Sequence, residues 1–133
     1  MDASNAARPK RLLAVDDNAD SAELVARIAG RCGYEARIAS VAADVRQLLI
    51  EWQPDVLTLD LCMPDIDAID LFPVLKEAAF AGPVLIISGL DPWLRRSATK
   101  LAAARGLNVV GDFEKPLDPP ALREKLAEVR ASL

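Results

Sequence analysis

Five short apolar runs recur along the chain, at residues 12–15, 36–39, 56–59, 84–87 and 109–110. Four are unbroken, or nearly so, rather than alternating. A strand with one wet face alternates apolar and polar residues. An unbroken run suits a strand covered on both faces, as in a parallel sheet. The segments between the runs carry helical periodicity. Leu24, Val25, Ile28, Ala29 and Cys32 share one face, and so do Val41, Val45, Leu48, Leu49 and Trp52. Leu94, Ala98, Leu101 and Ala102 repeat the pattern, as do Leu122, Leu126, Val129 and Leu133. Strand and helix alternate five times. Right-handed crossovers turn that order into a doubly wound α/β fold, an open sheet with helices on both faces.

The punctuation agrees with this reading. Asp20 and Glu23 are spaced as a capping box opening the first helix. Gly33, Gly82 and Gly106 fall where helices should stop. Pro54 and Pro83 precede strands, and Asp118-Pro119 reads as an N-cap followed by a first-turn proline. Pro73 falls inside the third helical pattern, which predicts a kink or a late start. Residues 1–9 are polar and are expected to form a flexible tail, with a single domain over 10–133.

Composition narrows the classes of function. Of 133 residues, 52% are hydrophobic, which excludes a disordered chain. The formal charge is −4, from 16 basic and 20 acidic residues, and no basic stripe suggests a nucleic-acid groove. Every apolar run is shorter than the roughly 18 residues of a membrane span, and the start lacks a signal peptide's apolar segment. The expectation is a cytoplasmic protein with no membrane or nucleic-acid partner. Cys32 and Cys62 show neither metal nor redox spacing and are expected to be reduced thiols. There is no histidine, so no histidine base, ligand or phosphocarrier exists in this chain.

In open parallel sheets the functional crevice lies outside the carboxyl ends of the strands. Asp16 and Asp17 follow the first run, Asp60 the third, Ser88 the fourth and Lys115 the fifth. Three carboxylates gathered there repel one another. At about 4 Å and an effective dielectric near 20, each pair costs roughly 4 kcal/mol. A hard divalent cation removes that cost, and Mg2+ prefers oxygen ligands with a few retained waters. Asp17 and Asp60 are candidate direct ligands, Asp16 a ligand directly or through water, and the backbone carbonyl of Cys62 a further one. With the metal present, the Asp60 carboxylate is a competent nucleophile toward phosphorus. The transferred phosphoryl group would meet Mg2+, the Lys115 ammonium and the Ser88 hydroxyl at its oxygens.

Taken in order, Asp16-Asp17, L-D-L-C-M-P around Asp60, Ser88 and Lys115-Pro116 resemble the receiver domain of two-component response regulators, over about residues 10 to 132. The resemblance implies a flavodoxin-like sheet of order 2-1-3-4-5 flanked by five helices. It implies that Asp60 is the phosphorylation site, accepting phosphate from a sensor histidine kinase or phosphotransfer protein. Ser88 matches the switch hydroxyl, Lys115 the phosphate-contacting lysine, and Pro116 a proline often preceded by a cis peptide bond. Output through a partner is implied at the face formed by the fourth helix, fifth strand and fifth helix. No separate substrate is implied; the chain would assist only its own phosphotransfer and dephosphorylation. With no DNA-binding module after residue 133, a stand-alone receiver is expected.

Departures from the family pattern fall on the switch. Ala68 stands where a glycine is frequent. Asp112 stands three residues before the lysine, where the family usually has Phe or Tyr, and Phe113 is the candidate for a shifted aromatic switch. Leu90, two past Ser88, is expected to obstruct attacking water. Trp93 is a candidate for packing or for a partner surface. A haloacid-dehalogenase-type phosphatase would share the Asp60 chemistry, but has a second aspartate where this chain has Cys62, and needs length for a cap. A phosphorylation-independent adaptor of receiver shape is the alternative.

Overall fold

The computed structural model describes residues 9–60, 62–63, 66–89 and 91–133. In chain order the elements are β1 (Lys10–Val15), α1 (Ala19–Arg31), β2 (Tyr34–Ala39), α2 (Ala42–Glu51), β3 (Val56–Asp60), β4 (Cys62–Met63), β5 (Ile66–Asp67), α3 (Ala68–Glu77), β6 (Pro83–Ser88), α4 (Pro92–Ala104), β7 (Asn108–Glu114) and α5 (Pro119–Ser132). The main sheet is parallel, in the order β2-β1-β3-β6-β7. That is the 2-1-3-4-5 order, with a small antiparallel pair, β4 and β5, set apart from it. The expected tail, residues 1–9, lies outside the described residues apart from Pro9.

The unbroken runs become strands covered on both faces. All five residues of β3 are buried, and so are the last four of β1 and the last five of β6. On one face, α1 and α5 bring Val25, Ile28, Leu122, Leu126 and Val129 onto Leu12, Val56, Leu85 and Ile87. On the other, α2 and α3 bring Val45, Leu49, Leu71 and Leu75 onto Leu13, Leu57, Val84 and Ile86, with Ala102 of α4. Trp52 belongs to this second core, and the Arg37 and Arg11 guanidiniums lie 4.9 and 5.5 Å from its ring centroid. The edge strands are wetter. In β2 only Tyr34 and Ala39 are buried, and no residue of β7 is.

Several boundaries differ from expectation. The α1 cap is Asn18, whose side chain accepts from Ser21 N at 2.9 Å, so Asp20 lies inside the first turn and no Asp20–Glu23 box opens the helix. Gly33 and Gly106 do end α1 and α4, with φ of 91° and 90°. Gly82 ends nothing. Helix α3 stops at Glu77, and the left-handed residue after it is Ala79, φ 56°. What demands glycine at 82 is proximity, since an added Cβ would meet the Asp55 carbonyl oxygen at 2.3 Å. Helix α3 starts at Ala68 and runs through Pro73, which donates no N–H to the turn before it. The late start expected from that proline does not occur. The last strand extends to seven residues, with a register irregularity where Val84 faces Val109 but Leu85 faces Gly111.

Candidate functional site

Parallel strands bring their carboxyl ends to one edge. There β1 runs directly into Asp16 and Asp17, β3 ends on Asp60, β6 ends on Ser88 and β7 is followed by Lys115. The edge is held by backbone hydrogen bonds. Asp16 N donates to Ala39 O at 3.1 Å, and Lys115 N to Ser88 O at 2.9 Å. The turn into α1 adds another, with Asn18 N donating to Asp16 Oδ1 at 2.9 Å. One asparagine therefore orients Asp16 through its backbone and caps α1 through its side chain.

One carboxylate oxygen from each of Asp16, Asp17 and Asp60 can be chosen so that all lie within 4.8 Å of one another. Asp60 is 2% exposed and Asp16 5%. A buried carboxylate needs compensation, and Lys115 supplies part of it. Its Nζ donates to Asp16 Oδ2 at 3.1 Å and to Asp60 Oδ2 at 3.3 Å. Burial pushes the Lys115 ammonium toward a lower pKa, but the hydrogen bond to Asp16 and the charges of Asp60 and Asp16 outweigh it, so its pKa is raised. The ammonium stays charged at neutral pH. One ammonium against three carboxylates leaves the cluster negative. The Ser88 side chain is fully buried at the end of β6. Asp16, Asp17, Asp60, Ser88 and Lys115 thus share one edge.

A sequence model of the response regulator receiver domain matches residues 12–127. The chain belongs to this family. The receiver domain is 31% identical over 123 residues to response regulator MprA of Mycobacterium leprae (strain TN), covering 92% of this chain and 50% of that relative. The chain spans about half the length of the curated relatives it matches. Among solved structures, a response regulator from Colwellia psychrerythraea superposes with a TM-score of 0.78 at 29% identity, covering 95% of this chain and 100% of that one. A signal receiver domain from Bermanella marisrubri gives 0.75 at 30% identity, covering 92% and 98%. Among the described residues, no helix is long and apolar enough to cross a membrane.

The remaining candidates fall around this edge. The receiver domain has a cis peptide bond between Lys115 and Pro116. Cys62 lies in β4, its backbone paired with Asp67, and Leu90 lies outside the described residues. Phe113 does not take up the aromatic position in a shifted register. It pairs with Ile87 and packs on the α1–α5 side of the sheet. A one-residue shift on a strand reverses the face, so Phe113 points away from the α4 side that Asp112 occupies. Asp112 faces Arg95 of α4, with Oδ1 4.0 Å from Nε. Arg95 went unnoticed in the sequence because a lone arginine in a helix reads as solvated. Trp93, in the first turn of α4, is 67% exposed.

Proposed function

We propose that the receiver domain is a phosphorylation switch that takes a phosphoryl group onto Asp60 from the phosphohistidine of a sensor kinase or phosphotransfer protein. The observation that carries this is the buried Asp60 carboxylate, held by Lys115 and set within one acidic cluster with Asp16 and Asp17. An Asp60 oxygen attacks phosphorus, an O–P bond forms, and the N–P bond of the donor breaks, its electron pair leaving with the imidazole nitrogen. An ionised carboxylate needs no general base, which suits a chain without histidine. Lys115 already reaches Asp60 and offers a fixed cation to the developing phosphoryl charge. Ser88, buried at the end of the neighbouring strand, offers a hydroxyl at the same edge.

The donor set fits Mg2+. Three carboxylates supply hard oxygens only, and their charge exceeds what Lys115 neutralises. Asp16, Asp17 and Asp60, with the Cys62 carbonyl, are the residues that would hold the ion. When bound, it supplies neutralising charge at a phosphoryl oxygen. The domain acts on no separate substrate and assists only its own phosphotransfer and dephosphorylation. The change at Asp60 is relayed to a partner protein through the face formed by α4, β7 and α5, in the cytoplasm. No contact with nucleic acid or membrane is part of this reading.

Intact mass after incubation with acetyl phosphate tests it, with and without Mg2+, on wild type and Asp60→Asn. The expected result is a gain of one phosphoryl group, about 80 Da for HPO3 on a side chain, that requires both Mg2+ and Asp60. An equal gain in Asp60→Asn would place the acceptor elsewhere. No gain from acetyl phosphate or from a histidine-phosphorylated donor would favour the phosphorylation-independent adaptor.

A further inference from the structure

Of the five helices, α4 alone carries no acidic residue. Its charged side chains, within Pro92–Ala104, are Arg95, Arg96 and Lys100. Arg95 turns inward toward Asp112 of β7. Arg96 and Lys100 are exposed, and among the described residues no ion pair holds either. They stand four residues apart, and Trp93 stands three residues before Arg96. Spacings of three and four put all three on one side of the helix, opposite the buried Ala102. Trp93 is 67% exposed, and Leu94 beside it 43%. Solvated lysines and arginines on a helix need no explanation. A tryptophan left mostly in water next to them does, since an indole buries a large apolar area when something covers it. Tryptophan and arginine are also the residues that most often carry binding energy at protein interfaces.

Charge selects the occupant. The chain as a whole stands at −4. An extended polyanion, such as a nucleic acid or an anionic membrane, meets that repulsion along its length. A short acidic segment does not, because exposed charges beyond about 8 Å are screened at physiological salt. From Trp93 to Lys100 the stripe is about 10 Å long at the helical rise of about 1.5 Å per residue. We propose that the exposed stripe of Trp93, Arg96 and Lys100 on α4 docks an acidic helical segment of a partner protein. Two carboxylates one turn apart on that segment meet Arg96 and Lys100, and an apolar side chain covers Trp93. Carboxylates at i and i+4 of a helix lie about 6 Å apart along its axis, the same rise that separates Arg96 from Lys100. That this contact carries the output of Asp60 rests on the proposed function above. The contact itself does not.

Titration of the full chain tests this with a fluorescein-labelled synthetic helical peptide that carries glutamates one turn apart beside leucines. Its counterpart has glutamine at each glutamate. Both are measured by anisotropy, with and without acetyl phosphate and Mg2+. The acidic peptide should bind about tenfold more tightly than its counterpart, the factor for two exposed ion pairs. Arg96→Glu combined with Lys100→Glu should remove that preference, and Trp93→Ala should weaken binding by about fivefold or more. Binding should also shift the emission of Trp93, whereas Trp52 is buried and serves as the internal reference. Equal affinity for the two peptides in both conditions would overturn the proposal, and so would a preference that survives the double charge reversal. Binding to phosphatidylserine vesicles with none to the acidic peptide would also overturn it, in favour of a membrane surface. A failure of phosphoryl transfer in the mass experiment leaves peptide binding to the unmodified chain standing, so the two ideas fall separately.

Discussion

Helices α1 and α4 are each 13 residues long and flank the same functional edge, yet they are seated very differently. Helix α1 buries Ala22, Val25, Ile28 and Ala29 and begins with an asparagine cap tied to Asp16. Helix α4 fully buries Ala102 alone among the described residues, exposes Trp93 and Leu94, and leaves two Arg95 nitrogens unpaired. Local stability follows buried apolar contact, and moving elements are drawn from the poorly seated end. The acidic cluster is thus fixed on the side of β1 and α1. Freedom to respond lies on the side of β7 and α4. A switch needs both: a rigid acceptor and an element whose position costs little to change.

Truncation breaks the comparison most directly. Ile28→Ala should cost about 2–5 kcal/mol, as for large core side chains cut to alanine, since Ile28 is 7% exposed in the α1 seat. Leu94→Ala, at a position 43% exposed, should stay within about 0.5 kcal/mol. Urea unfolding of both variants measures the gap. A cost for Leu94→Ala approaching that of Ile28→Ala would mean that α4 is anchored as firmly as α1.

Mg2+ sharpens the contrast from the other side. An ion held by Asp16, Asp17 and Asp60 binds the folded chain alone. At tenfold excess over its dissociation constant it should add about 1.4 kcal/mol, seen as a raised Tm. Asp17→Asn should remove most of this gain. The same rise in Asp17→Asn as in wild type would place the ion elsewhere.

How far these two regions were legible in the sequence differs for a physical reason. The strand ends were legible because apolar runs on parallel strands leave their last residues on one edge. Asp16, Asp60, Ser88 and Lys115 needed only that topology. The α4–β7 side was not. Gly111 and Asp112 are poor strand formers, and they hid most of a seven-residue strand behind the run at 109–110. The face that Phe113 takes depends on the register of β7 against β6, irregular between Val84 and Leu85. No local pattern announces such an irregularity. The short β4–β5 pair also escaped notice, since two-residue strands carry no periodicity. Arg95 matters only through its burial against Asp112, a contact between residues of different elements.

The smallest expected effect concerns the well-seated side and appears with pH. Tyr34 opens β2, and its buried hydroxyl donates to Leu126 O of α5 at 2.8 Å. Burial, aided by the nearby Cys32 and opposed by Arg130, pushes its pKa up to about 12. A raised pKa means the folded chain holds a proton that the unfolded chain releases near pH 10. This contribution is therefore whole below about pH 10 and is lost as pH rises through 12. Lys115, also raised, acts in the same direction. Tyr34→Phe should cost about 1 kcal/mol at neutral pH, the worth of one hydrogen bond. It should also flatten the alkaline fall in stability without abolishing it, because Lys115 still titrates. An alkaline fall as steep in Tyr34→Phe as in wild type would assign the effect to Lys115 and to Cys32, whose thiol burial also pushes up. The alkaline loss of stability would then belong to the acidic cluster and the Cys32 thiol, not to the Tyr34 hydroxyl that ties β2 to α5.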